Sequence, residues 1–521
     1  MYRWTQRMVA LTVIAGLAAG CTLGQSDQPV VITATPAAGP TNAAPTSAAA
    51  SPYPEADAFI AELMDEYDIP GAGVALVQNR EVRYVQGYGV RSTATGEPIT
   101  PDTLFAIGSI TKSFTALGVM RLVDQGLVSL DAPVITYLPD FQLSDPSATQ
   151  TVTVRQILAQ TSGLPGGDDG PWYSGQITTL SAAVDYAATL TLAAAPGTVH
   201  IYDNYNYAIA GALIEQVTGQ TWPDYMRDNV LGPLDISGET FDIEAMQQAP
   251  DHAVPHSLNI VEGMQPAPFV SLAGVASAGA LNLSARAMGN YVQFQLGDGT
   301  FNGQSVLSAA LLDEMHTQQA AYPPQPPIGP TGFQTNGYTL GWFPADFNGQ
   351  TAIWHNGSID GFYAVVMLLP AQNAGVAVLS NAGLGTGSLF ALAASMGLLE
   401  QITGTDAGRD VAAALNEEAA FDPADRQSKL DAARTYQADP AAWAPLQGTY
   451  SGAGGTIQVE TRDGKLYLGQ GTELVPYSAT GFITPNRMRD GLIVTYTFET
   501  DASGTITLYR DGSAIGQKAP S

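Results

Sequence analysis

The chain has 521 residues, a formal net charge of -28 and a pI near 4.2. This length exceeds what one hydrophobic core usually supports, and 45% apolar residues exclude a mainly disordered protein, so we expect a large globular domain with a smaller one attached. The acidic balance repels phosphate backbones, so no nucleic-acid partner is expected.

The first 21 residues have the features of a signal peptide. Arg3 and Arg7 precede the apolar run 8–19, which is too short to span a bilayer. Small residues then lead to Cys21, the only cysteine of the chain, in an arrangement that resembles a bacterial lipoprotein processing site. The sequence therefore predicts export to the periplasmic or extracellular face of the cell envelope, with a lipid on Cys21 as the only membrane attachment. Ordinary secretion is the alternative.

Composition divides the rest of the chain into four parts. Residues 22–51 are rich in Ala, Thr, Pro and Ser, which predicts a flexible tether. Residues 52–405 carry the patterns of the main domain, and 406–442 resemble a linker with helical content. Residues 443–521 alternate apolar and polar positions between turn signals, which predicts a small antiparallel β domain.

Within the main domain, helical and strand periodicities come in a mixed order. Helices are predicted at 56–67, from 107–109 to 125–126, and at about 388–401; strands are predicted at 71–78, 81–87, 351–355, 362–369 and 375–379. Strands of one sheet thus come from both ends of an α/β (α+β) domain. The Gly-rich segment 163–170 is expected to shape a site without holding its chemistry.

The helix that begins near residue 107 carries a Ser and a Lys three residues apart. Ser109 and Lys112 therefore share a helical face, and Lys112 is the only lysine before Lys429. A Ser hydroxyl is a weak nucleophile until a base takes its proton, and burial lowers the pKa of a Lys toward that role. By itself the pair is also compatible with a surface Lys on a helix.

A second polar motif, Tyr202-Asp203-Asn204, precedes an apolar helix. The phenol and the amide, two residues apart, project to the same side of a loop. Tyr202 is a candidate proton relay, and Asn204 a candidate hydrogen-bond donor to a substrate or partner of Lys112. Taken alone, the tripeptide also fits a packed Tyr and a helix cap.

A third motif, His355-Asn356-Gly357-Ser358, lies on a predicted strand. Gly357 allows a ligand to approach the backbone closely. The strand edge offers the N–H of Ser358 as one oxyanion donor, with the N–H of Ser109 as the other. A single His on a strand is more often structural than catalytic.

The three motifs, in this order, resemble the serine β-lactamase-related family, which includes class C β-lactamases, D-Ala-D-Ala carboxypeptidases, D-aminopeptidases and certain esterases. The similarity covers residues 56 to about 404 and includes the segments 126–134, 137–139, 160–165, 279–281 and 338–342. It implies a β-lactamase/transpeptidase-like fold, with an antiparallel sheet flanked by helices and an all-helical region. The tail resembles the small β domain that many such proteins carry.

By this resemblance, Ser109 is the acyl-forming nucleophile, and Lys112 and Tyr202 share the acid and base roles. Asn204, His355, Gly357 and Ser358 would bind substrate, and no cofactor or metal is implied.

Two positions depart from the family pattern. Asp203 replaces the usual Ser, and we expect its carboxylate to face away from Lys112, because it would otherwise favour the charged amine. Gln160 stands where a His is frequent and is expected to be structural.

The third motif also bears on the substrate. The family's dedicated β-lactamases and transpeptidases carry a Lys that holds a substrate carboxylate where His355 stands here. The expected activity is therefore that of a serine hydrolase acting on a small ester, amide or peptide, with a D-aminopeptidase or carboxypeptidase among the options. A β-lactamase is the alternative, and a weakly catalytic module that binds penicillin or peptidoglycan is an alternative of another class. The sequence leaves the oligomeric state open.

Overall fold

A computed structural model describes residues 53–322, 331–405, 410–452, 455–469, 471–485 and 491–518. The predicted signal peptide, Cys21 and the tether 22–51 lie outside the described residues. Within the described ranges, no helix has the length and apolar character needed to cross a membrane.

The α-helices are distributed between residues 54 and 435. They are α1 (Pro54–Glu66), α2 (Thr111–Asp124), α3 (Pro146–Thr151), α4 (Val154–Leu158), α5 (Gly170–Tyr173), α6 (Leu180–Ala187), α7 (Asn204–Thr218), α8 (Trp222–Met226), α9 (Ile243–Gln248), α10 (Ala276–Gly279), α11 (Ala285–Gln295), α12 (Ala309–His316), α13 (Thr386–Thr403), α14 (Val411–Ala419) and α15 (Pro423–Thr435).

The strands fall into a main sheet, a barrel and several two-stranded pairs. They are β1 (Gly71–Gln78), β2 (Glu81–Gly89), β3 (Phe105–Ala106), β4 (His256–Asn259), β5 (Gly263–Pro266), β6 (Asn282–Leu283), β7 (Thr300–Phe301), β8 (Gln304–Ser305), β9 (Ala320–Ala321), β10 (Phe333–Thr335), β11 (Gly337–Tyr338), β12 (Phe343–Phe347), β13 (Gln350–Ile359), β14 (Phe362–Leu369), β15 (Ala374–Ser380), β16 (Gly448–Gly452), β17 (Gly455–Arg462), β18 (Lys465–Leu468), β19 (Thr472–Pro476), β20 (Gly481–Pro485), β21 (Ile493–Thr500), β22 (Ile506–Arg510) and β23 (Ser513–Lys518).

The main sheet is antiparallel and has the order β10-β12-β13-β14-β15-β1-β2. The neighbouring strands β15 and β1 come from opposite ends of the domain, as the sequence predicts. Both faces of the sheet are covered. Val366 and Leu368 of β14 pack in the core that contains α2 and α11, whereas Val365 and Met367 pack in the core that contains α1 and α13. A strand buried on both faces needs a continuous apolar run, and all eight residues of β14 are buried.

The interval 406–442, interpreted as a linker with helical content, contains α14 and α15. Leu415 and Leu430 of these helices are buried in the same core as α1 and α13. The side chain of Tyr67 donates to Asn416 Oδ1 over 2.8 Å. Both helices therefore pack onto the main domain.

The tail forms a closed antiparallel barrel, β16 to β23, around its own apolar core. The barrel also contacts the main domain, because Ile483 of β20 is buried in the core of α1 and α13. The predicted antiparallel β tail is confirmed. With the two-sided sheet and the helical region, it gives the fold that the resemblance implies.

Candidate active site

Ser109 lies in a single 3-10 turn, Gly108–Ile110, that leads directly into α2. The sequence predicts one continuous helix here. The backbone departs from it because Gly108 has a φ of +51°, which a helix excludes and glycine tolerates. The turn leaves Ser109 half-buried at the start of the helix while Lys112, on the same face, is fully buried. The predicted pair is thus brought together.

The amine of Lys112 has three hydrogen-bond partners. Nζ lies 2.9 Å from Ser109 Oγ, 2.8 Å from Asn204 Oδ1 and 3.0 Å from the carbonyl oxygen of Ala278. An amide oxygen and a backbone carbonyl only accept hydrogen bonds. In the neutral amine, the two N–H groups therefore point to Asn204 and Ala278, and the lone pair faces the hydroxyl of Ser109.

Burial is the main influence on the pKa of Lys112. Burial lowers the pKa to about 7, and the negative charges of Asp169 and Asp203 oppose this effect by raising it. Near neutral pH a substantial fraction of Lys112 is therefore uncharged, the form that can take a proton from Ser109.

Tyr202 lies on the other side of the same amine. Lys112 Nζ stands 4.8 Å from the centre of its ring, and its hydroxyl hydrogen-bonds to the Ser109 side chain. Desolvation raises the pKa of Tyr202 above its usual range, so the phenol keeps its proton. Near neutral pH the uncharged Lys112 is therefore the available base, and the protonated Tyr202 can act as a donor and relay.

Asp203 caps α7, and its carboxylate bonds to backbone N–H groups. Its negative charge nevertheless raises the pKa of Lys112, the effect that we expected an outward-facing carboxylate to avoid. Oδ1 accepts from the backbone N–H of Tyr205 over 2.6 Å, and Oδ2 accepts from that of Gly166 over 3.1 Å. Gln160 Oε1 accepts from the backbone N–H of Asp203 over 3.1 Å and from Asn206 Nδ2 over 2.7 Å. Gln160 thus holds the backbone of the Tyr202-Asp203-Asn204 motif in place, which is a structural role.

His355 lies on β13 behind the ring of Tyr202, with its ring 6.4 Å away between centroids and only 1% exposed. Nδ1 is 2.6 Å from the carbonyl oxygen of Asn356, which requires a proton on Nδ1, and Nε2 then accepts from the hydroxyl of Tyr338 over 3.3 Å. Burial, aided by the charge of Lys112, lowers the pKa of His355 to about 3. The ring is neutral with both nitrogens bonded; its predicted contact with substrate stays a prediction.

Gly357 and Ser358 bring β13 against the nucleophile turn. A Cβ on Gly357 would lie 3.0 Å from the backbone nitrogen of Ser109, and a Cβ on Gly108 would lie 2.8 Å from that of Ser358. The pairing of β12 with β13 ends at Trp354, so Ser358 lies beyond the reach of that strand. The two predicted oxyanion donors are therefore neighbours on the side of Ser109.

Two contributors to the site were not predicted from the sequence. Asp169, in the Gly-rich segment, accepts from Asn204 Nδ2 over 3.0 Å and is 4% exposed. This segment therefore reaches the residues that hold Lys112, contrary to our expectation that it only shapes the site. The second contributor is the carbonyl oxygen of Ala278. A signal for Asp169 exists in the acidic pair Asp168-Asp169 within a run of glycines, whereas a backbone carbonyl leaves no mark in the sequence.

No group of three or more potential metal ligands is found among the residues that the structure describes.

Comparison with known proteins gives matches over the main domain. The family model described as Beta-lactamase matches residues 56–401. Penicillin-binding protein 4 of Amycolatopsis lactamdurans is 30% identical over 336 residues, which cover 62% of this chain and 84% of the relative. Protein flp of Staphylococcus aureus strain MW2 is 27% identical over 335 residues, and the match spans 62% of each chain.

Solved structures of similar fold extend over the barrel as well. The octameric penicillin-binding protein homologue from Pyrococcus abyssi has a TM-score of 0.59 at 24% identity and covers 90% of this chain and 100% of its own. SurE has a TM-score of 0.55 at 23% identity and covers 89% and 98%. With the family model matched over most of the main domain, the chain belongs to the β-lactamase family, in the superfamily of serine β-lactamases and penicillin-binding proteins.

Proposed function

We propose that this protein is an exported serine hydrolase that forms an acyl-enzyme on Ser109 and cleaves an ester or an amide. The observation that carries the proposal is the set of three neighbours around Lys112 Nζ. Asn204 Oδ1 and the Ala278 carbonyl hold its two N–H groups, and the Ser109 hydroxyl is the third neighbour, at 2.9 Å.

The proposed reaction has two halves. Lys112 takes the hydroxyl proton while Ser109 Oγ bonds to the substrate carbonyl carbon, and the N–H groups of Ser109 and Ser358 stabilise the oxyanion. The bond to the leaving group then breaks, and the proton reaches the departing alcohol or amine through the Tyr202 hydroxyl. In the second half, water attacks the acyl carbon, Lys112 takes its proton, and Ser109 recovers its hydroxyl.

The charge of the site bears on the substrate class. Lys112 is the only lysine before Lys429, and its amine is bonded to Ser109, Asn204 and Ala278. At the third motif the buried His355 is neutral, so it is a poor anchor for a substrate carboxylate. These features favour an esterase or an amide hydrolase, including one that acts on D-amino-acid peptides, over a β-lactamase. A D-Ala-D-Ala carboxypeptidase is an alternative that they do not favour, because its substrate also ends in a carboxylate.

The proposed location is the exported face of the cell envelope. It is supported by the basic and apolar start of the chain and by the small residues before Cys21, to which a lipid anchor would attach. Replacing Cys21 by Ser should release the protein from membranes and abolish metabolic labelling with palmitate. An unchanged membrane fraction would refute the anchor.

The catalytic proposal is tested with p-nitrophenyl esters, D-amino-acid p-nitroanilides and a chromogenic cephalosporin. We expect ester or anilide turnover in the parent and in the exposed control Ser129→Ala, and none in Ser109→Ala. Turnover that persists in Ser109→Ala would refute the assignment of Ser109 as the nucleophile. Turnover of the cephalosporin alone would make the enzyme a β-lactamase, and penicillin binding without any turnover would favour an envelope-binding module.

A further inference from the structure

The Gly-rich segment before α5 places one acidic side chain next to the catalytic amide. Asp169 is 4% exposed, and its Oδ1 accepts from Asn204 Nδ2 over 3.0 Å and from Trp172 Nε1 over 2.7 Å. Asp169 makes no hydrogen bond to Ser109 or Lys112 among those the structure describes. Any influence on the reaction therefore passes through Asn204 or through its charge.

We infer that Asp169 is a positioning residue for this reaction, because it fixes which end of the Asn204 amide faces Lys112 and so directs the Lys112 lone pair at Ser109. The inference rests on the proposed function.

The orientation of the amide follows from the chemistry of its two neighbours. A carboxylate accepts hydrogen bonds only, so the NH2 of Asn204 must face Asp169. Asn204 Oδ1 is then left to accept from Lys112 Nζ over 2.8 Å. Rotating the amide by half a turn would set two acceptors against each other on one side and two donors on the other. The carboxylate thus excludes the arrangement in which Asn204 would compete for the lone pair of Lys112.

Asp169 also acts through its charge. It is the larger of the two negative influences that raise the pKa of Lys112, ahead of Asp203. The other groups facing this amine are Tyr202 and Tyr207, which present their rings at 4.8 and 5.8 Å, and His355, which is neutral. Asp169 therefore opposes the effect of burial on the amine.

The second carboxylate oxygen of Asp169 argues that the residue positions Asn204 and does more than fill space. Asp169 Oδ2 is buried and has no hydrogen-bond partner among the described residues. A buried, partly unsatisfied carboxylate lowers stability, and an Asn could accept from Asn204 and Trp172 at the same place without the charge. If position 169 served only packing, an Asn would serve it as well as the Asp and at a lower cost in stability.

The decisive variant is Asp169→Asn, which keeps the shape and removes the charge. We expect the acidic limb of kcat/KM for a neutral p-nitrophenyl ester to move by about 1 pH unit toward lower pH, because loss of the negative charge lowers the pKa of Lys112 further. Its melting temperature should be unchanged or higher. Asp169→Ala, which also removes the acceptor, should lower kcat by on the order of 10- to 100-fold with a smaller change in KM.

The matched control is Asp168→Asn, on the same loop. Asp168 Oδ2 accepts from the hydroxyl of Tyr186 over 2.8 Å. The negative charges that raise the pKa of Lys112 are those of Asp169 and Asp203, not that of Asp168. This variant should leave the acidic limb in place. An Asp169→Ala variant with the parent's kcat overturns the inference, because the amide would then keep its orientation without the acceptor. An Asp169→Asn profile that coincides with the parent, or an equal shift in Asp168→Asn, overturns it as well.

Ser109→Ala is measured in the same series. If that variant remains active, the proposed function itself fails. If it is inactive while Asp169→Asn leaves the profile unmoved, only the role of Asp169 is refuted.

Discussion

Gly357 and Ile107 are in backbone contact: a Cβ built on Gly357 would lie 1.8 Å from the carbonyl oxygen of Ile107. Gly357→Ala must therefore push β13 away from the nucleophile turn and separate the N–H groups of Ser109 and Ser358. Loss of one oxyanion donor costs on the order of 100- to 1000-fold in kcat, and we expect a loss of that order for a reactive ester. Steady-state kinetics with the folded variant provides the measurement.

The control for this prediction is Gly471→Ala, at a position where an added Cβ meets no atom within 4 Å. It should have the parent's kinetics. If Gly357→Ala also retains the parent's kcat, the close approach of the two segments has no part in catalysis.

The depressed pKa of Lys112 predicts the pH dependence of the parent enzyme. The uncharged amine is the base, and its pKa is lowered to about 7, so kcat/KM should rise by about tenfold per pH unit below 7 and level off above it. Lys112→Arg keeps a permanent positive charge and should lose on the order of 100- to 10,000-fold in kcat/KM. A neutral ester assayed from pH 5 to 9 avoids titration of the substrate.

Lys429→Arg is the matched control, because Lys429 pairs with Asp425 on α15 over 2.5 Å, in a part of the chain with no role in the proposed reaction. It should follow the parent profile. A parent profile that is flat across pH 7 would contradict the assignment of Lys112 as the base.

The residues that supply side-chain chemistry were accessible from the sequence, because their spacing is fixed by local structure. Ser109 and Lys112 are three residues apart, and residues at that spacing share one face of a helix. The run Phe362–Leu369 is apolar throughout because both faces of that strand are covered. The full burial of His355 could not be predicted, because it depends on distant side chains such as Lys112 and Tyr338 that pack around the ring.

Other features could not be predicted because they depend on contacts between distant segments. The strands β10 and β12 are short, and Pro344 interrupts the alternation of apolar and polar residues in β12. Neither strand therefore shows the period of two that predicts a strand. The carbonyl oxygen of Ala278 reaches Lys112 across 166 positions of sequence. In the sequence, Asp169 is one acidic residue of a Gly-rich loop. It gains its role only because the fold places it within hydrogen-bond distance of Asn204.

His355→Lys tests whether the third motif alone decides the substrate class. The ring is 1% exposed and lies near the amine of Lys112, so a second buried cation there should lower the free energy of unfolding by on the order of 3 kcal/mol. Because the position is buried, we expect no gain of cephalosporin hydrolysis. Urea denaturation and a nitrocefin assay give the two measurements.

His355→Gln is the companion variant, since it is neutral and should cost less stability than His355→Lys. If His355→Lys hydrolyses the cephalosporin at a rate well above that of the parent and of His355→Gln, the identity of this one side chain sets the substrate class and the buried position is no barrier.

Arg426 joins the barrel to the main domain through α15. Its guanidinium is 4% exposed, pairs with Asp68 over 2.6 Å and donates from Nε to the backbone oxygen of Gly491 over 2.6 Å. In Arg426→Met the carboxylate of Asp68 and the carbonyl of Gly491 lose their buried donor. Because Asp68 is 41% exposed and can be solvated, we expect the free energy of unfolding to fall by on the order of 1 to 2 kcal/mol. The junction between α15 and β16 should become sensitive to limited proteolysis, with kcat/KM unchanged.

Arg434→Met is the matched control on the same helix, because Arg434 is more exposed and its contacts lie at the surface. It pairs with Asp431 over 3.0 Å and donates from Nε to the backbone oxygen of the exposed Val261 over 3.1 Å. A surface pair contributes about 1 kcal/mol or less, so this variant should denature at nearly the parent's urea midpoint and resist the protease. Equal midpoints for Arg426→Met and Arg434→Met would show that the barrel is held to the main domain by the packing of Ile483 and its neighbours, and that the buried ion pair adds nothing to the attachment.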